Sequence, residues 1–288
     1  MTANPGDSFA VNTYAYIQDM DVLECLSRLA DQGYTAFELM VYPGHLWPAE
    51  LDRQARRAIR SAIAQRGLRL MSLNMPNVDI NVTGASAEMR AYSLGLLDGC
   101  LDLAGDLGAE GLILGPGKPN PLFPARHEAM LGHFFEALDR LLPRSEKAGT
   151  ALWLENMPFS FLPGIDQMMD ALERYGSPRI GVCYDAANAW FIAEDIGQGL
   201  ECARPRLKLF HLSDTGRAVY RHDPVGTGSV PFADIPPLLQ KVGYRDFPVL
   251  EIISRDPDTD LAQSADRLIG MGWPPVTPHR EVSAGGEA

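Results

Sequence analysis

The strongest constraint on this chain is a rhythm: eight short apolar runs, most of them followed by a stretch of helical periodicity. The runs are Phe9–Thr13, Ala36–Met40, Leu68–Leu73, Gly111–Leu114, Leu152–Leu154, Ile180–Tyr184, Leu207–Phe210 and Phe247–Leu250. Helical patterns fill the gaps. The first has Val22, Leu23, Leu26, Leu29 and Ala30 on one face and stops at Gly33. Further helices are predicted at about 48–65, 86–107, 128–147, 165–175, 197–203, 232–242 and 260–271.

The runs are mostly too short for buried helices and too apolar for half-exposed strands, which suits a parallel sheet covered by helices. Eight strand–helix units in a chain of 288 residues match a (β/α)8 barrel, an α/β fold of about 250 residues. A doubly wound open sheet is the rival. It usually carries a glycine-rich phosphate turn after its first strand, and Asn12-Thr-Tyr-Ala-Tyr16 supplies none. The expectation is a single barrel domain over 1–272 and a flexible C-terminal tail over 273–288, where Pro, Gly and charge accumulate.

Composition narrows the function. Lys and Arg number 25 against 37 Asp and Glu, a formal charge of −12, which argues against a nucleic-acid partner. Cys25, Cys100, Cys183 and Cys202 lie far apart, with no pair at metal-knuckle spacing, and read as free thiols of a reducing compartment. The first residues have neither a basic nor an apolar leader segment, and no apolar run reaches membrane-spanning length. A cytoplasmic protein without a membrane partner is expected.

In a barrel the working residues stand at the C-terminal ends of the strands. Strands five to eight end in Glu155, Asp185, His211 and Glu251, spaced by 30, 26 and 40 residues. A single strand-end glutamate is commonly a solvated loop residue, but four metal-ligand types in four consecutive units is a pattern. Three carboxylates and one imidazole suit one divalent cation, Mn²⁺, Mg²⁺ or Co²⁺ before Zn²⁺, which the general affinity order still admits. A cation gripping a carbonyl and a neighbouring hydroxyl acidifies the C–H between them, and a carboxylate at its edge can move the proton.

These residues also carry a resemblance. Leu154-Glu-Asn-Met-Pro158, Val182-Cys-Tyr-Asp-Ala-Ala-Asn188, Phe210-His-Leu-Ser-Asp214, Val225-Gly-Thr-Gly228, Val249-Leu-Glu-Ile252 and Gly33-Tyr-Thr-Ala-Phe-Glu38 resemble the xylose isomerase-like TIM barrels. Within these the chain is most similar to the sugar phosphate isomerase/epimerase group, over about residues 8–272. The resemblance implies Glu155, Asp185, His211 and Glu251 as metal ligands, with Glu155 and Glu251 doubling as an acid/base pair. It implies a small sugar or keto-acid as substrate, and a homo-oligomer. Arg217, six residues beyond His211, matches a substrate-binding arginine; Arg221, nearer the Val-Gly-Thr-Gly turn, is the alternative.

One departure stands out. The epimerase pattern on strand six is Asp-x-x-His, whereas this chain has Asp185-Ala-Ala-Asn188, and an amide carries no proton at neutral pH. Simple epimerisation therefore has a rival in metal-dependent dehydration or elimination on a keto-sugar derivative. A sugar-binding barrel without catalysis is a third reading. An endonuclease IV-like zinc enzyme is disfavoured, because Asn74, Pro116 and Asn188 stand where extra histidines belong. Glu38, Asn188, Trp153 and His222 complete the substrate-site candidates. Trp190, Asn74, Lys118 and Asn156 carry less weight.

Overall fold

A computed structural model describes residues 4–75 and 79–276. Eight strands close into one parallel barrel in sequence order: β1 (Ala10–Asn12), β2 (Ala36–Met40), β3 (Arg69–Asn74), β4 (Gly111–Leu114), β5 (Ala151–Glu155), β6 (Ile180–Asp185), β7 (Leu207–Leu212) and β8 (Val249–Leu250). The ring is shut by β1 against β8, with Ala10 paired to Val249 and Val11 to Leu250.

Outside lie α1 (Val22–Asp31), α2 (Arg53–Gln65), α3 (Ala87–Leu107), α4 (His127–Ala148), α5 (Ile165–Tyr175), α6 (Ala186–Phe191), α7 (Ile196–Ala203), α8 (Ile235–Val242) and α9 (Pro257–Gly270). Their apolar faces meet the outward strand residues, among them Leu152, Leu154, Val182 and Phe210, in the main core. Local chemistry sets the helix ends. Asp21 and Ser86 accept from first-turn amides of α1 and α3, and Gly108 closes α3 at φ 80°.

Two elements differ from the sequence expectation. The second helix begins at Arg53, not near Pro48, because Asp52 caps it by accepting from the Ala55 amide. Helix α6 starts directly after β6, in a stretch expected to be loop: Asp185 Oδ1 accepts from the Asn188 amide at 2.6 Å and nucleates it. Strand six therefore turns into helix at the residue that also faces the mouth.

Inside the barrel, side chains alternate between two layers because the strand period is two. The lower layer is apolar: Ala10, Ala36, Met71, Ile113, Trp153, Cys183, Leu209 and Val249. Trp153, expected at the substrate, belongs here. It sits one pleat period below Glu155, and a Cβ at Gly111 or Gly181 would come within 2.4 or 2.6 Å of its ring. Those two glycines make room for the indole, so its role is packing. Trp273, assigned from sequence to the loose tail, is likewise buried against Phe9 and donates to the Phe232 carbonyl at 3.0 Å. Residues 277–288 of that tail lie outside the described residues.

Candidate metal centre

The upper layer holds the chemistry. Glu155 ends β5, Asp185 ends β6, His211 lies in β7 and Glu251 follows β8, all inward and all buried. Around His211 Nδ1, Glu251 Oε2 stands at 3.2 Å, Glu155 Oε1 at 3.3 Å and Asp185 Oδ2 at 3.8 Å. One ligand atom from each of the four lies within 4.8 Å of the others, the spacing a single ion needs.

Hydrogen bonding points the same way. Asp185 Oδ1 is spent on capping α6, but Asp185 Oδ2, Glu251 Oε2 and His211 Nδ1 are buried without a hydrogen-bond partner. Buried charges left unpaired are costly, and a cation among them removes the cost. The residues therefore fit a divalent metal. Cys183 stands beside Glu155 and His211, but burial raises its thiol well above the ordinary value, so it offers a neutral sulfur. The oxygen-rich set is the better ligand set.

Electrostatics separate the carboxylates. Burial pushes Glu155 up to about 7 and Asp185 up to about 6. Burial acts on Glu251 too, but His211 and His222 outweigh it and hold that carboxyl below its ordinary range. His222 itself resists protonation by burial, yet Glu251 and Asp185 raise it to about 9.

Glu38 has a different place from the one expected. It is wholly buried and is not among the residues lining the mouth cavity. Its carboxylate accepts from Asn12 Nδ2 and Ser72 Oγ, each at 2.5 Å, and from Asn74 Nδ2 at 3.1 Å. Its Oε1 also lies 3.0 Å from His211 Nε2. A carboxylate behind an imidazole fixes the ring and raises its basicity, and Glu38 has that place relative to His211.

The mouth cavity measures about 290 Å³, and Glu155, Glu251, Asn188, His222, Tyr220 and Asn74 are among its walls. The structure thus brings Asn188 and His222 to the site, together with Asn74 and Lys118. Asn188 is firmly oriented: Nδ2 donates to the Asn156 carbonyl at 2.8 Å and reaches Glu155 Oε1 at 3.5 Å, while Oδ1 accepts from the Tyr220 hydroxyl at 2.7 Å. That hydroxyl also meets His222 Nε2 at 2.8 Å, and His222 Nδ1 contacts Glu251 Oε2 at 3.2 Å.

Arg217 is not brought in. Its guanidinium stacks 3.9 Å above the Trp190 ring, and it lines no part of the mouth cavity. Arg221 is exposed and lines a neighbouring cavity. Asn156 works on the backbone, accepting from the Asp185 amide at 2.7 Å and donating to its carbonyl at 3.0 Å. Sequence reasoning missed Tyr220. It sits in a long loop without periodicity, and its one sequence signal is its place two residues before His222.

Several solved structures share this architecture, three of them as follows. A D-tagatose 3-epimerase-like protein superposes with a TM-score of 0.78 at 18% identity, covering 92% of this chain and 96% of that one. A 3-keto-D-glucoside 4-epimerase from E. coli gives 0.75 at 17%, covering 91% and 98%. An L-ribulose 3-epimerase gives 0.77 at 22%, covering 92% and 94%. At such identities the likeness establishes the fold. No curated protein matches the chain in sequence. The model of one family does match, over residues 26–270, and the chain belongs to that family, the xylose isomerase-like TIM barrels.

Proposed function

We propose that this protein is a divalent-metal-dependent isomerase or epimerase acting on a small polyhydroxy carbonyl compound. The observation that carries the reading is the four-residue cluster of Glu155, Asp185, His211 and Glu251, with unpaired buried atoms and with Glu155 and Glu251 lining a cavity of about 290 Å³. The structural neighbours, epimerases of tagatose type, ribulose and keto-glucoside, support the same substrate class.

The cluster would hold Mn²⁺, Mg²⁺ or Co²⁺, with Zn²⁺ as the fourth option, and a bound cation would polarise the substrate carbonyl and neighbouring hydroxyl. The protein supplies the rest. Glu155 and Glu251 approach the cavity from strands five and eight and serve as the acid/base pair that takes and returns a proton at the carbon beside the carbonyl. Asn188 holds Glu155 from one side; His222 holds Glu251 from the other. Met40, Met157, Phe159 and Ile253 give the cavity apolar walls.

A second reading rests on Asn188. Its amide is committed to Tyr220 and Asn156 and moves no proton, which favours metal-dependent elimination from a keto-sugar derivative, a lyase reaction. Metal analysis of purified protein, followed by a screen of ketoses and keto-acids in D₂O, separates the readings. Deuterium entering one carbon with an epimer or isomer formed supports the first, and loss of water supports the second. Bound ligand without exchange or product means a sugar-binding barrel. Full turnover by metal-stripped protein refutes both enzymatic readings.

A further inference from the structure

The mouth cavity has a neighbour. A second cavity of about 420 Å³ opens beside it, and the two share Tyr14 and Ile253 as walls. Its other lining comes from the segments after β1, β7 and β8, all at the working end of the barrel: Gln18 and Asp19, then Arg221 and Asp223, then Ser254 and Arg255. Cavities that hold small ligands start at about 300 Å³, so this space suits a further substituent of one ligand.

Its chemistry selects the kind of substituent. Two guanidinium groups offer only donors, and two carboxylates only acceptors. Arg221 Nε and Asp223 Oδ2 form an ion pair at 3.7 Å, beyond hydrogen-bond reach, so the hydrogen-bonding capacity of both groups stays open to a ligand. A phosphate or carboxylate placed here would satisfy the arginines but face Asp19 and Asp223. A neutral run of hydroxyls, each both donor and acceptor, satisfies both kinds. We infer that this cavity is a second sugar subsite, and that the substrate is a keto-sugar bearing a glycosyl unit, its carbonyl end at the metal cluster and its second ring between Arg221, Asp223, Asp19 and Arg255. The substrate class rests on the proposed function; the subsite itself does not.

Calorimetric titration of Mn²⁺-loaded protein tests it. The probes are D-fructose, three disaccharides that carry a glucosyl group on fructose (turanose, maltulose and isomaltulose), and fructose 6-phosphate. At least one disaccharide should bind about tenfold or more tightly than D-fructose. That ratio should fall towards one in Arg255→Ala and in Asp19→Ala. The inference is overturned if no disaccharide binds or exceeds D-fructose, or if the advantage survives both substitutions. It is overturned equally if the phosphate alone gains affinity, which makes the cavity an anion site. Titrating Mn²⁺, Mg²⁺, Co²⁺ and Zn²⁺ by themselves keeps the two proposals apart: a protein that takes up none of them loses the proposed function, while the disaccharide ratio measured on that protein still decides the subsite.

Discussion

The two layers inside the barrel are built by the same strands, one pleat period apart, and have opposite chemistry. The lower one is closed by Trp153 wedged between Gly111 and Gly181, with Met71, Ile113 and Leu209 around it. The upper one holds Asn12, Glu38, Asn74, Glu155, Asp185, His211 and Glu251, buried as deeply but polar. The lower layer lowers the free energy of the fold. The upper layer spends part of that gain on holding charges together, which repays only when something binds them. Stability and function are thus stacked along one axis.

Four measurements break or sharpen that division. Glu155→Gln or Glu251→Gln should cut turnover by about 10²–10⁴-fold, the range of a lost acid/base group, with the thermal transition intact. Unchanged turnover would remove the upper layer from catalysis. Trp153→Ala should cost about 3–5 kcal/mol in denaturant unfolding, as large buried aromatics do, and move metal affinity little. A collapse of metal affinity without loss of stability would show the layers to be one unit.

The third concerns pH. Glu155 keeps its proton in the folded chain from its ordinary 4.5 up to about 7, Asp185 from 3.8 up to about 6, and His222 from 6.5 up to about 9. In each window the folded state holds more protons than the unfolded one, so stability falls as pH rises. Glu251, held low, acts in the opposite sense only in the acid range below its ordinary 4.5. Metal-stripped protein should therefore lose stability between about pH 5.5 and 8.5, read as a falling Tm. Saturating Mn²⁺ should flatten the slope, since ligands must lose their protons to bind it. A stability that climbs over this range in metal-stripped protein contradicts the scheme.

Smallest is Glu38→Gln. It should weaken Mn²⁺ binding about 10- to 100-fold by loosening the hold on His211, while D-fructose affinity at saturating Mn²⁺ changes little. An unchanged metal affinity would make Glu38 a packing group of the upper layer.

Much of this was legible in the residue order. Strand-end ligands are visible because each follows directly on an apolar run, and no knowledge of the partner strands is needed to see it. Trp153 was misplaced although period two already puts it on the inner face with Glu155; what was missing was its depth, which depends on Gly111 and Gly181 in the flanking strands. Helix α6 escaped notice because six residues carry too little periodicity, and a cap at Asp185 was hidden by that residue's place at a strand end.

The loops divide the same way. Arg217 and Arg221 both stand in the segment after β7, and sequence spacing alone could not say which turns inward. Folding sends Arg217 onto Trp190, puts Arg221 in the second cavity, and aims Tyr220 at Asn188 and His222 at Glu251. Those directions depend on what the loop meets.

By itself, the order of residues determined the alternation of strand and helix, the barrel it closes into, and the set of ligand types at four strand ends. These follow from short-range periodicity and from adjacency along the chain. Only the tertiary structure decided that Glu38 stands behind His211, that Asn188 is locked by Tyr220, and that a second cavity opens beside the first. Such relations join residues that are far apart in the chain or lie in separate loops, and they come into being only when the ring shuts and brings those segments together.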